Sequence, residues 1–395
     1  MPYRADRQLF DRRTMLAVAG GALLPLAPGI AAGSSLVVGP GGQPLSLRQA
    51  IQQARDGDTI DLLPGAYRGE VAVVEGKRLA IRGIGRRPVL HAEGRNAEGK
   101  AILVVRGGEV IVENIEFRGC RSADRNGAGI RLDSGSLRAV RCAFFDNENG
   151  LLTGNAEDAT LAVEACEFGE APRVVGGLHH LLYVGRIASV TITGSRFHRG
   201  FEGHLVKSRA RRSTIAYNLI YDGPEGEASY EVDLPNGGFA TLVGNVIGQA
   251  PGSQNFALVA YGAEGRPWPD SRLHVSHNTF VNGRTLPALF LRVFRDRLAA
   301  GTQVLAVNNL TVGLGALAMP ADGRFEGNYP AVSAMLRDPD AMAFELAPGS
   351  VLRGRGVDPA TALGVDLTPA AEFAFPVGTR ALRAPPHWSP GAFQS

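Results

Sequence analysis

The 395-residue chain is poor in cysteine, in charge and in long apolar runs, and each shortage excludes something. Its three cysteines, Cys120, Cys142 and Cys166, cannot all pair within one chain, and their spacing fits no metal motif. They read as small core-facing hydrophobes. Only 20% of residues are charged against 45% hydrophobic, which argues against disorder and allows a large core. Of the formal charge of +3, residues 1–32 supply +2, from Arg4, Arg7, Arg12 and Arg13 against Asp6 and Asp11. The remaining +1 is no basic excess, so a nucleic-acid partner is not implied. Beyond residue 32 no apolar run is long enough to span a bilayer.

The one modest apolar run starts at Met15, directly after Arg12-Arg13, and exits through the small residues Ala31 and Ala32. That is the grammar of an export signal with a twin-arginine start. Gly20, Gly21, Pro25 and Pro28 interrupt the run and argue against an anchor. The expectation is an exported monomer, periplasmic or secreted, with no membrane span in the mature chain. Residues 1–32 form the signal and residues 36–395 one domain, irregular from about residue 320.

What is abundant is glycine, 51 residues scattered in a way that suits many tight turns. Between the turns a word recurs: a β-branched residue or Leu followed five positions later by an apolar one. It runs VENIEF from Val112, VRCAFF from Val140, VEACEF from Val163, ITGSRF from Ile192, IAYNLI from Ile215, LVGNVI from Leu242, VSHNTF from Val275 and VNNLTV from Val307. Apolar and polar residues often alternate within a word, which predicts one short strand per word. A unit this short cannot bury its own apolar face, so the units must stack as a solenoid. Asn218, Asn245 and Asn278 share one offset in consecutive words and are expected to form a hydrogen-bonded ladder across coils about 4.8 Å apart.

On these words the chain resembles the pectate-lyase-like superfamily, whose fold is all-β: a single-stranded right-handed parallel β-helix with an N-terminal capping helix. The segment SLRQAIQQARDGDTIDLLPGAYRGEVAV resembles that cap and the first coils. Ser46 would be the N-cap, and Leu47, Ala50, Ile51 and Ala54 one apolar stripe. AFELAPGSVLRGRGVD and the final PGAFQ resemble the usual ending of such proteins. The fold hosts lyases, hydrolases, epimerases, esterases and adhesive spikes.

Two neighbouring coils stand out chemically. Residues 194–213 carry Arg196, Arg199, Lys207, Arg209, Arg211 and Arg212 against one acid, Glu202. Residues 221–233 carry Asp222, Glu225, Glu227, Glu231 and Asp233 with no base. The bland account is an ion-pair ladder, with Lys207 over Asp233. The functional one is β-elimination on an acidic polysaccharide, which needs a neutralised uronate carboxylate, a base for the C5 proton and an acid for the leaving oxygen. Lys207 is the first choice for base, because Arg209 and Arg211 would disfavour its charged form. The layout EGHLVKS, with Glu202 five before Lys207, resembles the chondroitin and alginate lyases of the β-helix class, in which a calcium-binding glutamate precedes a lysine base. That resemblance implies Ca2+ with Glu202, Glu227 and Asp233 as ligands. Gly200 stands where the family's second glutamate falls, and the coil after Lys207 offers Tyr230 and Asp233 where a catalytic arginine is expected.

A second scheme makes His204 and Tyr230 the proton-transferring pair, with Arg209 and Asn236 neutralising the carboxylate. Strict alternation would send His204 and Lys207 to opposite faces unless a turn intervenes, and likewise Tyr230 and Asp233. Further substrate contacts are expected from His179, His180, Tyr183 and Arg211, and from the loop of Tyr261, Glu264 and Trp268, against plain packing and a loop brace. The PNGG word at Pro235 is a turn signal. A lyase on an acidic polysaccharide leads. Behind it stand a glycoside hydrolase using Glu227, Glu231 and Asp233, an epimerase, and a non-catalytic carbohydrate-binding protein.

Overall fold

The repeated word proves to be a corner. Val112 and Glu113 end one strand, Asn114 takes a left-handed φ of 56°, and Glu116–Arg118 opens the next strand. Arg141, Ala165, Tyr217, His277 and Asn308 occupy the same left-handed position. The expectation of one strand per word is therefore corrected. The corner inserts an extra outward residue, so Val112, Ile115 and Phe117 are the buried ones. Register also moves two words back by one residue. Ala139, not Val140, lies beside Val112 and Val163, and Ala306, not Val307, lies beside Val275. Alanine carries no β-branched signal, which hid both starts.

The computed structural model describes residues 33–265, 268–317 and 322–394. Stacking the coils gives three faces of parallel strands. Two of these, joined through the long strands Ala101–Glu113 and Ala128–Val140, make a 20-stranded sheet, and the third makes an 11-stranded sheet. One coil illustrates the path: Val206–Ser208 on the first face, a turn at 209–211, Arg212–Ala216 on the second, a corner at Tyr217-Asn218, and Leu219–Tyr221 on the third. The return to the first face crosses residues 222–231.

Inside, Phe117, Phe144, Phe168 and Phe197 stack with centroids 5.3, 4.5 and 4.7 Å apart, one ring per coil. The asparagine ladder exists and runs further than the sequence indicated. Asn218 Nδ2 donates to Asn245 Oδ1 at 2.9 Å, Asn245 to Asn278 at 2.9 Å, Asn278 to Asn309 at 3.0 Å and Asn309 to Asn328 at 2.8 Å. Towards the N-terminus the same row continues through Ser195, whose backbone N–H donates to Asn218 Oδ1, then Cys166 and Cys142. Two of the three cysteines are thus rungs of this row, and all three are buried and unpaired to one another.

Ser46 caps the helix Leu47–Gln53 through a reciprocal capping box with Gln49, burying Leu47, Ala50 and Ile51. Lys77 Nζ closes its far end by donating to the Ile51 and Ala54 carbonyls at 2.8 and 2.7 Å. After the strand Tyr329–Ala331 the chain forms two antiparallel pairs, Leu336–Asp338 with Ala343–Leu346 and Ala371–Phe373 with Thr379–Ala381. The tail then bonds across several corners: Val357 to Asn308, Leu367 to Ser276, Ala370 to Tyr217 and Gly378 to Gly194. The expected export signal lies outside the described residues. Among those described, no helix is long and apolar enough to cross a membrane.

Candidate active site

On the first face, Leu182, Val206, Val232 and Val259 form one inward row in register, and Tyr183, Lys207 and Asp233 occupy consecutive places in the row beside it. Alternation breaks one step earlier. Leu205 and Val206 both point into the core, as do Leu181 and Leu182, and Glu231 and Val232. Two consecutive inward residues bring His204 to the same side as Lys207, and Tyr230 to the same side as Asp233. A tight turn makes room for this: Glu202 adopts φ 54°, and Gly203 lies so close to the preceding coil that a Cβ would meet His179 O at 2.0 Å.

His180, His204 and Tyr230 then line up as tilted rings, with centroids 4.8 and 5.1 Å apart and interplanar angles of 37° and 49°. Their backbones are tied by a second ladder. The His180 N–H donates to Asn149 Oδ1 at 3.3 Å, the His204 N–H to His180 Nδ1 at 2.9 Å and the Tyr230 N–H to His204 Nδ1 at 3.2 Å. Because Nδ1 of His204 accepts, the ring proton sits on Nε2, which faces Asp233 Oδ2 at 3.4 Å. Burial, aided by the charges of Lys207 and Arg209, pushes the His204 pKa down to about 3, so the ring is neutral at ordinary pH.

Lys207 Nζ lies 3.3 Å from Asp233 Oδ2 and 3.2 Å from Glu264 Oε1. The arginines expected beside Lys207 are thus not its nearest neighbours: two carboxylates are. Burial raises the Asp233 pKa to about 6, partly offset by Lys207. Arg209 is held on every side. Its Nε donates to Tyr183 OH at 2.9 Å and its Nη1 to Asn236 Oδ1 at 2.7 Å, and its carbonyl accepts from Trp268 Nε1 at 3.0 Å. Its two Nη atoms then grip Glu264 at 2.6 and 3.0 Å. Burial tends to raise the Glu264 pKa, but Arg209 and Lys207 outweigh it and hold the carboxyl low.

The structure therefore gathers Tyr183, His204, Lys207, Arg209, Tyr230, Asp233 and Glu264, with His180 behind them. Other expected residues lie elsewhere. Tyr261 is fully buried and donates its hydroxyl to Gly238 O at 2.6 Å, so it offers sugars no ring face. Trp268 is buried as a brace on the Arg209 carbonyl. His179 is buried behind the turn, and Arg211 is exposed at the corner, outside the polar contacts of the cluster. Asn236, expected on a substrate carboxylate, uses its amide on Arg209 and on Gly265 O.

The expected calcium set is also dispersed. Glu202 accepts from the Gly176 N–H, Glu227 pairs with Arg173, and Asp233 is bound to Lys207 and His204. Among the described residues no three His, Cys, Asp or Glu side chains are grouped to hold a metal. At Gly200, a Cβ would meet Leu205 Cδ2 at 2.7 Å, which crowds out the family's second glutamate. Glu231, counted with the acidic coil, is wholly buried among core residues. Among the described residues no polar contact ties Glu227 or Glu231 to the cluster, so the expected trio of hydrolase carboxylates is not assembled.

No protein-family model matches the sequence, and no curated protein does. The fold does match solved structures. The crystal structure of pectate lyase Pel9A superposes with a TM-score of 0.65 at 15% identity, covering 93% of this chain and 97% of that one. The PL6 family alginate lyase AlyGC gives a TM-score of 0.33 at 16% identity, over 76% of this chain and 52% of that one. With parallel strands stacked on three faces from residue 35 to residue 331, the chain shares the parallel β-helix fold of that pectate lyase.

Proposed function

We propose that this protein is a polysaccharide lyase that cleaves a uronate-containing polymer by β-elimination along the first face. The observation that carries this reading is the convergence of Arg209 and Lys207 on a single carboxylate, beside a buried aspartate and a neutral histidine. A site that grips one carboxylate with a fork and an ammonium suits a substrate that bears one. The fold shared with a pectate lyase supports the same reading.

In this scheme Arg209 neutralises the substrate carboxylate and so acidifies the C5 proton. Lys207 first passes one proton to Asp233, 3.3 Å away, and then takes the C5 proton. The C–H electron pair becomes the C4–C5 double bond, and the bond from C4 to the glycosidic oxygen breaks. Tyr183, whose oxygen already accepts from Arg209 Nε, keeps its O–H to protonate the leaving oxygen. His204 orients Asp233, and Asp233 orients Lys207. No step runs through calcium. The same reading takes the winding as right-handed, the helix Leu47–Gln53 as the cap of the first coil, and residues 1–32 as a twin-arginine signal directing the protein to the periplasm or beyond.

The test is incubation with pectate, alginate, glycosaminoglycan and bacterial exopolysaccharide panels, monitored by the ultraviolet absorbance of the new double bond. A folded protein that leaves every panel member unchanged would sink the reading. One observation favours a second: Asp233 is raised to about 6 while Glu264 is held low, a pair of carboxyls pushed apart as a glycoside hydrolase needs. New reducing ends without absorbance would select it.

A further inference from the structure

Glu264 sits where a ligand would. It follows the first-face strand Ala257–Tyr261, in a short turn whose Gly262 and Gly265 have φ of 86° and 82°. Its backbone N–H is pinned to Pro235 O at 2.8 Å, and its side chain reaches back over the two cations. Three donors meet its carboxylate: both Nη atoms of Arg209 and Nζ of Lys207.

The donors and the acceptor are anchored very differently. The Arg209 and Lys207 side chains are 19% and 10% exposed, and Arg209 is fixed by Tyr183, Asn236 and Trp268. The Glu264 side chain is 45% exposed, and among the described residues its only side-chain hydrogen bonds are those to Arg209 and Lys207. The carboxylate therefore lies between two immobilised cations and the solvent.

We propose that Arg209 and Lys207 form a subsite for the carboxylate of an acidic sugar, and that Glu264 occupies it as an internal stand-in until substrate displaces it. The ligand class rests on the lyase reading above, whereas the subsite itself rests on the geometry. Exchange of one carboxylate for another leaves neither cation unpaired in either state, so a partly buried charge is never stranded. It also makes the protein selective. A carboxylate pre-positioned on a pinned turn competes far better than a flexibly tethered or free one, so a neutral sugar or a free monocarboxylate cannot open the subsite and an acidic polymer, with contacts on several coils, can.

The subsite can be tested without knowing the polymer, by thermal unfolding of the full chain with acetate as the probe. In Glu264→Ala the fork and the ammonium are vacated. Sodium acetate at about 100 mM should raise the melting temperature by roughly 2 °C over matched sodium chloride, while acetamide should have no effect. Wild type should not respond to acetate, and Glu264→Ala with Arg209→Gln should lose the response. If Glu264→Ala folds poorly, Glu264→Gln removes the charge at nearly constant volume and serves for the same comparison.

No acetate-specific rise in either single variant, or an equal rise in wild type, overturns the subsite. A rise just as large with sulfate overturns the carboxylate class. Failure of the lyase reading shows separately, as the absence of unsaturated product from the polymer panels whatever acetate does.

Discussion

Asp233 is the register partner of Lys207 on the next coil, and its Oδ2 lies 3.3 Å from Lys207 Nζ and 3.4 Å from His204 Nε2. A single oxygen collects both side chains, and among the described residues Oδ1 has no hydrogen-bond partner. The side chain of Asp233 is only 4% exposed, so burial favours its neutral form and the Lys207 charge partly offsets that.

Lys207→Met is expected to reduce turnover by about 10³-fold or more. It should also destabilise the protein by roughly 1–3 kcal/mol, because Asp233 loses its cation. Adding Asp233→Asn should restore most of the stability and none of the activity, measured by denaturant unfolding and the absorbance assay. Recovery of activity in the double variant would reduce Lys207 to a rung of an ion-pair ladder.

Asp233 also predicts a pH dependence. Its folded pKa of about 6 stands above the ~3.9 of an unfolded aspartate, so it favours folding fully below about pH 4 and loses that contribution as pH rises through about 6. Asp222, also raised to about 6 by burial, acts in the same sense. His204, lowered to about 3, acts oppositely, its contribution being present above about 6.5 and lost towards 3. Asp233→Asn should therefore flatten part of the stability decline between pH 4 and 6, by at most about 2–3 kcal/mol. Unfolding midpoints across that window, with His204 present in both proteins, check it. An unchanged profile would refute the raised value.

Glu231 occupies a leucine's place. Backbone pairing sets it in one row with Leu205 on one side and Leu258 on the other. Burial pushes its pKa well above the usual carboxylate range, and among the described residues its Oε2 has no partner. Glu231→Leu should stabilise the protein by roughly 1–3 kcal/mol at neutral pH. A lower melting temperature would mean that the contact of Glu231 with Ser253, at 3.3 Å, matters more than the buried acid costs.

The ladder makes a graded prediction. Asn245 accepts from both the N–H and the Nδ2 of Asn218 and donates to Ile215 O and Asn278 Oδ1, all of it buried. Asn245→Ala should cost about 2–4 kcal/mol through orphaned polar groups. Asn245→Cys should cost less, since cysteine fills the same row at 142 and 166. Equal losses in the two variants would show that volume rather than hydrogen bonding sets the cost.

Much of the fold was legible because stacking repeats a coil's solution in its neighbours. The words, the Asn218–Asn245–Asn278 row and the capped helix all follow from patterns within one or two coils. Two word starts were hidden because alanine replaces the β-branched residue, and the row's extension to Ser195 and Cys166 because unlike side chains accept from the same backbone position. The site was half legible. Composition marked the two charged coils, and Lys207 over Asp233 followed from stacking. The union of His204 with Lys207 was not, since it depends on Leu205 and Val206 both turning inward, which strand periodicity forbids. Nor was the burial of Tyr261 and Trp268: aromatics in a proline-rich loop look the same in sequence whether they face sugar or core.

A solenoid whose repeats touch only their neighbours can peel from either end, one coil at a time. Here the tail bonds to Asn308, Ser276, Tyr217 and Gly194 in turn, linking coils more than a hundred residues apart. The last coils cannot unwind until the tail lets go, and its release loosens the edge of the coil that carries Lys207. Fraying at the C-terminal end and loss of the site are thus joined in one cooperative event.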